Sequence, residues 1–170
     1  MFRELTRKNQ RLPEEECAEL LKNERRGVLS VHGEDGYPYG MPMNHWYDEE
    51  SGKIYFHCGK TGHRSDALKR NGKVSFCVYD KGVQRDGQWP LHVKSVIVFG
   101  TIKTVEDGDR IAEITTKLSL KFTQDEAYIK DEIKKHLHRT MLLELTPEEA
   151  ELRYDRYIYD PQDRGIRAER

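Results

Sequence analysis

Apolar and polar positions alternate along much of the chain with the two-residue period of strands, and only a few stretches change to helical spacing. Pro13-Glu-Glu-Glu16 followed by Cys17, Leu20 and Leu21 predicts a helix with proline at its first position and acids in its first turn, ending near Asn23 to Arg26. Gly27-Val-Leu-Ser-Val31 predicts a strand, and Gly33-Glu-Asp-Gly36 a hairpin turn. The return strand is expected from Tyr37 to Tyr47; Pro38 and Pro42 within it mark an edge, a bulge or an irregular stretch. Glu49-Glu-Ser-Gly52 then turns into a strand from Lys53 to Cys58, so residues 27–58 read as a three-stranded meander. On that third strand Ile54, Phe56 and Cys58 share one face, and Tyr55 and His57 the other.

Helical propensity rises from about Ser65 and ends at Asn71-Gly72. Lys73 to Tyr79 is the next strand, Asp80 to Pro90 a loop, and His92 to Val105 the longest strand candidate. Within it Ser95-Val-Ile-Val-Phe99 is apolar enough to expect burial on both faces. Thr104-Val-Glu-Asp107 and Thr123-Gln-Asp-Glu126 read as capping boxes. The first opens a helix with Ile111, Ile114 and Leu118 on one face, and the second a short helix to about His136. Thr140 to Leu145 is the last core strand, Thr146-Pro-Glu-Glu149 a helical turn. Short strands with helices inserted singly argue against a parallel sheet. They predict a mainly β fold, an antiparallel barrel of six or more strands with peripheral helices. One domain is expected over residues 1–152, and a partly mobile tail over 153–170.

Composition narrows the function classes. In 170 residues, 36% hydrophobic and 35% charged positions give a modest core and a heavily charged surface. A formal net charge of −1 removes any whole-protein argument for nucleic acid or an anionic membrane. The three cysteines, Cys17, Cys58 and Cys77, form no C-x-x-C pair, which points to reduced thiols and a cytoplasmic setting. No apolar leader opens the chain and no run reaches transmembrane length.

One cluster of charge runs against the dipole rule. Lys60, His63 and Arg64 crowd a helix start, where each cation is disfavoured by roughly 0.3–1 kcal/mol. Such a start makes sense where an anion sits, and Gly59 and Gly62 would let backbone amides approach it. A solvated charged loop is the other reading. The P-loop pattern is absent. His57 has no metal-ligand spacing to His63, and His32, His45, His92, His136 and His138 are scattered, so no metal site is assigned. Cys58 cannot pair with His57 as nucleophile and base, because adjacent strand residues point to opposite faces. Met41-Pro-Met-Asn-His-Trp46 reads either as core and edge packing or as a strand whose backbone lies against a flat heterocycle.

Four segments in order carry a resemblance: Gly27-Val-Leu-Ser-Val31, Gly36-Tyr-Pro-Tyr-Gly-Met-Pro-Met-Asn44, Ile54-Tyr-Phe-His-Cys-Gly-Lys-Thr-Gly-His-Arg64 and Ser95-Val-Ile-Val-Phe-Gly100. Together they resemble the pyridoxamine 5′-phosphate oxidase-related flavoproteins over residues 15–145, most closely the nitroimidazole-resistance branch. The resemblance implies a split β-barrel homodimer with FMN at the subunit interface. It implies that Met41, Pro42, Met43, Asn44 and His45 lie along the isoalloxazine ring, largely through backbone. Phe56, His57 and Cys58 would pass beside the flavin, with Lys60, Gly62, His63 and Arg64 at its phosphate. Ser95 and Ile97 would approach the flavin from the second subunit, and His57 would act on bound substrate. Met41 to Trp46 departs from the Arg-x-x-x-x-Lys-like strand of the true pyridoxamine-phosphate oxidases, which argues against vitamin B6 oxidation.

The resulting expectation is an FMN-dependent oxidoreductase reducing a small planar acceptor such as a nitroaromatic. Its competitors are a flavin- or haem-binding module without turnover, a pyridoxamine-phosphate-oxidase-like enzyme, and a polyphosphate or nucleic-acid binder using residues 60–64.

Overall fold

The computed structural model describes residues 10–34 and 36–153, with side chains through Glu148. Helix α1 (Glu14–Asn23) leads into β1 (Arg26–His32), β2 (Pro38–Asn44), β3 (Trp46–Asp48) and β4 (Lys53–Gly59). Then come α2 (His63–Arg70), β5 (Lys73–Tyr79), the two-residue strands β6 (Val83–Gln84) and β7 (Leu91–His92), and β8 (Ser95–Val105). Helices α3 (Gly108–Leu120) and α4 (Glu126–His136), a 3-10 turn (Leu137–Arg139) and β9 (Thr140–Arg153) complete the described chain. Seven strands form one antiparallel sheet in the order β2-β1-β5-β8-β9-β4-β3. No helix among the described residues is long and apolar enough to cross a membrane.

β2 and β3 lie at opposite ends of that order, yet only His45 separates them in sequence. The sheet must therefore curl until its ends meet, a barrel closed by chain continuity at His45 and unlaced along the outer edge of β2. His45 is fully buried, its Nε2 2.7 Å from the Leu21 carbonyl at the end of α1. Burial, and secondarily Lys121, pushes its pKa down to about 3, so the ring is neutral and Nε2 carries the proton that Leu21 accepts. This histidine pins the helix to the point where the sheet changes sides.

Alternation fills the barrel. Leu29, Met41, Ile54, Phe56, Phe76, Val98 and Leu145 belong to one buried cluster, with Phe56 and Phe76 edge to face at 4.8 Å between centroids. Each such side chain, once buried, is worth about 1.5–3 kcal/mol. A second cluster lies outside the barrel, where α3 lays Ile114 on Tyr55 and Leu142. Its rim is polar. Glu144 accepts from Lys53 Nζ at 2.7 Å and from Tyr55 Oη at 2.9 Å, while Arg110 reaches the same phenol at 3.3 Å.

Several elements differ from the reading of the sequence. The return strand breaks at His45 instead of running to Tyr47, so the three-strand meander becomes two hairpins that share a corner. The loop over 80–90 holds half of a small hairpin: β6 pairs with β7, and Asp80 accepts from the backbone of Gly82 and Lys94 at 2.9 and 3.0 Å. Val96 and Val98 are buried, but Ile97 and Phe99 remain half-exposed, so β8 is not covered on both faces. Thr104 lies in β8, and Asp107 is the cap of α3, accepting from Arg110 N at 2.8 Å. Asp125, not Thr123, caps α4, accepting from Tyr128 N at 2.9 Å.

Thr146-Pro-Glu-Glu149 is not helical. It continues β9, which at 14 residues is the longest strand, past an irregularity between Val98 and Gly100. Gly100 permits this: a Cβ there would stand 2.3 Å from the Thr146 carbonyl oxygen. Apart from the backbone of Arg153, the tail expected over 153–170 lies outside the described residues.

Candidate functional site

The unlaced seam is where the predicted residues gather. Among the described residues β2 is the terminal strand of the sheet, paired to β1 on one side only, and it approaches β4 without forming a ladder. That arrangement suits Pro38 and Pro42, which have no N–H to give to a ladder. The C-terminal end of β4 and the start of α2 sit at the same seam. Arg64 donates from a terminal guanidinium nitrogen to Met43 Sδ at 3.5 Å, and its charge lies close enough to Cys58 to act on the thiol. His63 stacks on Tyr39 with centroids 4.3 Å apart and planes 18° apart.

Two features there fit an anion. Arg64 Nε is buried and has no partner, so part of a fixed positive fork is unused. Gly62 precedes α2 at φ 115° with open space where a Cβ would point, and no side chain caps the helix start. A left-handed glycine leaves the first-turn amides accessible, as a phosphate oxygen would require. Lys60 is differently placed: its Nζ donates to the His138 carbonyl at 2.5 Å, tying the loop to the 3-10 turn. That turn places His138 and Arg139 beside the loop. Sequence reasoning missed this juxtaposition because 78 residues separate Lys60 from His138 and no local pattern links them.

Burial pushes the Cys58 thiol up, opposed by the adjacent Arg64, and the side chain is half-buried. A thiol raised in this way is a poor nucleophile. His57 lies on the opposite face of β4, exposed beyond the cluster that covers Tyr55, with Leu142 as its cross-strand partner. The protein atoms on its inner side lower its pKa by desolvation, so it is neutral at pH 7.

The other predicted positions separate by face. Met41, Met43 and Phe56 point into the core, so only their backbone is available to a ligand at the seam. Pro42 faces outward, and Asn44 accepts from Arg26 Nε at 2.9 Å. Ser95 and Ile97 are not brought into the seam. Ile97 closes the row Pro42–Val28–Cys77–Ile97 on the outer face, three strand spacings or roughly 14 Å from Pro42. Trp46 packs against Tyr55 under Lys117, away from the seam, and Trp89 is exposed near β7. Tyr39, the platform for His63, carried no signal beyond its place in an irregular strand. No group of three or more His, Cys, Asp or Glu able to hold a metal occurs among the described residues.

An antiparallel barrel split along one strand, with its polar side chains at the split, defines a split-barrel protein. The family model described as pyridoxamine 5′-phosphate oxidase matches residues 13–154, and the chain belongs to that family. Solved structures agree on the fold. A conserved hypothetical protein from Mycobacterium tuberculosis superposes with a TM-score of 0.72 at 19% identity, over 86% of this chain and 87% of its own. A candidate 5-nitroimidazole antibiotic resistance protein from Bacteroides thetaiotaomicron gives 0.66 at 16% identity, over 81% of each chain. An FAD-binding protein from Mesorhizobium loti gives 0.55 at 22% identity, over 81% of this chain and 91% of its own. A search among curated proteins finds no match.

Proposed function

We propose that this chain is a cytoplasmic, homodimeric FMN-dependent oxidoreductase that reduces a small planar acceptor of the nitroaromatic class. The observation that carries the reading is Arg64, half-buried with an unused Nε at the open, glycine-led start of α2, beside the free edge of β2. Family membership and the fold shared with an FAD-binding protein and a nitroimidazole-resistance protein support it.

FMN, when bound, supplies reversible one- and two-electron chemistry that no side chain offers. The chain's own contributions are binding, orientation and a proton site. Arg64, His63 and the amides after Gly62 hold the phosphate. The backbone of Met41, Pro42, Met43 and Asn44 would hold the ring system at the edge of β2, with Phe56 and Cys58 at the neighbouring end of β4. Lys60 reinforces the phosphate loop by tying it to His138. Ser95 and Ile97, which lie across the outer face from their own seam, would belong to the cofactor site of the second subunit. Neutral His57 donates a hydrogen bond from its ring N–H to bound substrate and orients it.

An absorption spectrum of the purified protein, with mass identification of released cofactor, tests the reading. FMN-type bands and a dimer by light scattering are expected. A protein that stays colourless after FMN is added and the excess removed excludes the function.

A further inference from the structure

Carboxylates hold cations at several places on this chain: Glu49 holds Lys22, Glu144 holds Lys53, Glu113 holds Lys117, and Glu34 holds Arg70 at the far end of α2. The start of α2 is built differently. Among the described residues neither His63 nor Arg64 has a carboxylate partner, and Asp66, the acid in the first turn, pairs with Lys69 at 3.6 Å instead. Their partners come from the inward row of β2, which runs Tyr39, Met41, Met43. Tyr39 stacks on the His63 ring, and Met43 Sδ accepts from Arg64. An aromatic face and a thioether keep a side chain in place without bringing a negative charge to it.

Tyr39 is itself well supported. It pairs with Val31 across the hairpin and packs, half-buried, against the barrel core. Gly33 lets the hairpin close around it: a Cβ there would stand 3.2 Å from Tyr39 Cβ and 2.4 Å from the Tyr37 carbonyl oxygen. His63 is exposed, and its ring is held by the stack and by no hydrogen bond among the described residues. We propose that Tyr39 is a positioning residue: it holds His63 in one pose beside Arg64, so that the seam prefers a flavin carrying a phosphomonoester to the same ring system without one. This rests on the flavin reading above. A stack formed before binding spares the cost of ordering a free side chain at the moment of binding. That saving reaches only a ligand that His63 touches, so it appears as selectivity and not as general affinity.

The test compares FMN with riboflavin, which lacks the phosphate, in fluorescence titrations of the full chain. Tyr39→Leu removes the ring and keeps apolar bulk; it should weaken FMN roughly 3- to 10-fold and leave riboflavin within about twofold. Tyr39→Phe keeps the aromatic face and should bind both like the parent. His63→Ala, at an exposed position, should lose the same selectivity, and adding Tyr39→Leu to it should change FMN affinity by less than about twofold, because the support then has nothing to hold. Equal weakening of both flavins by Tyr39→Leu, or a loss undiminished in the His63→Ala background, makes Tyr39 structural and overturns the proposal. Unchanged FMN affinity in Tyr39→Leu does so too. Parental selectivity in His63→Ala overturns it whatever the stability of Tyr39→Leu. Inorganic phosphate at constant pH, followed by NMR of the His63 ring protons, separates the proposal from the flavin reading. In the parent these protons should carry the ring-current shift of Tyr39 and move on adding phosphate; in Tyr39→Leu the first shift should vanish and the second weaken. A parent that takes no flavin but responds in this way keeps the positioning role and removes the flavin reading. A flavin-binding parent whose preference for FMN survives Tyr39→Leu does the opposite, and a parent with neither response removes both.

Discussion

Replacing Arg64 with Met should move cofactor affinity and protein stability apart. The guanidinium makes a long contact to Met43 Sδ at 3.5 Å and lies near Cys58, while its Nε is buried and unsatisfied. Removing the head group therefore loses weak contacts and also relieves a buried donor that costs about 1–3 kcal/mol when unpaired. The unfolding free energy of the apoprotein should change by less than about 1 kcal/mol. With a phosphate at the seam the same group makes charge-assisted bonds worth about 1.5–3 kcal/mol, or roughly 10- to 140-fold in Kd. Arg64→Lys keeps the charge but loses the planar fork, and should fall between parent and Met. Titrating apoprotein with FMN by quenching of flavin fluorescence, alongside urea unfolding, reads both quantities. Unchanged FMN affinity together with a stability loss above about 2 kcal/mol would make Arg64 a structural residue and refute the anion argument.

Four further outcomes follow from the geometry. His57→Ala should leave FMN affinity within about twofold and lower turnover with a nitroaromatic acceptor by roughly 10²-fold or more; loss of FMN instead would make the residue structural. His45 has a folded pKa of about 3, below its unfolded value, so the unfolded state binds the extra proton. Stability should then fall by up to about 1.4 kcal/mol per pH unit as pH drops from about 6.5 towards 3, and His45→Gln, which keeps a donor for Leu21, should flatten that limb in urea melts. Burial by itself would raise the Glu144 pKa, but the hydrogen bonds from Lys53 and Tyr55 and the charges of Lys53 and Arg110 together outweigh it and leave it lowered; its contribution is present above its unfolded pKa and is lost as pH falls through the folded value. Glu144→Gln should cost about 1 kcal/mol at pH 7 and less at acid pH. Gly100→Val should cost about 3 kcal/mol or more, because the added Cβ meets the Thr146 carbonyl and β9 must move away from β8.

Much of the fold was legible because strand alternation is a local property. Strand β5 was predicted residue for residue, and the apolar stripe of α3 was read from Ile111, Ile114 and Leu118. The anion argument was also local: Lys60, His63 and Arg64 stood against the dipole of a helix whose start Gly62 left open. The misreadings share one cause, which is competition between a local signal and a distant partner. Thr146-Pro-Glu-Glu149 has the sequence of a helix start, but the open edge of β8 beside Gly100 offered a ladder instead. Thr104 has the side chain of a cap, but its backbone was taken by Leu143 across the sheet.

The sequence by itself determined the strand content, the predominance of antiparallel pairing, and the presence of a misplaced positive cluster, since each follows from spacing within ten residues or so. Only the tertiary structure decided where the barrel splits, because that depends on one buried histidine, His45, carrying the chain from one end of the sheet to the other. It also decided which cations face the seam. Arg64 turns back onto Met43 and Cys58 with a donor left over, while Lys60 is committed to a carbonyl 78 residues away. A charge's position in the sequence sets its sign and its reach; what it can bind depends on which of its hydrogen bonds the fold has already used.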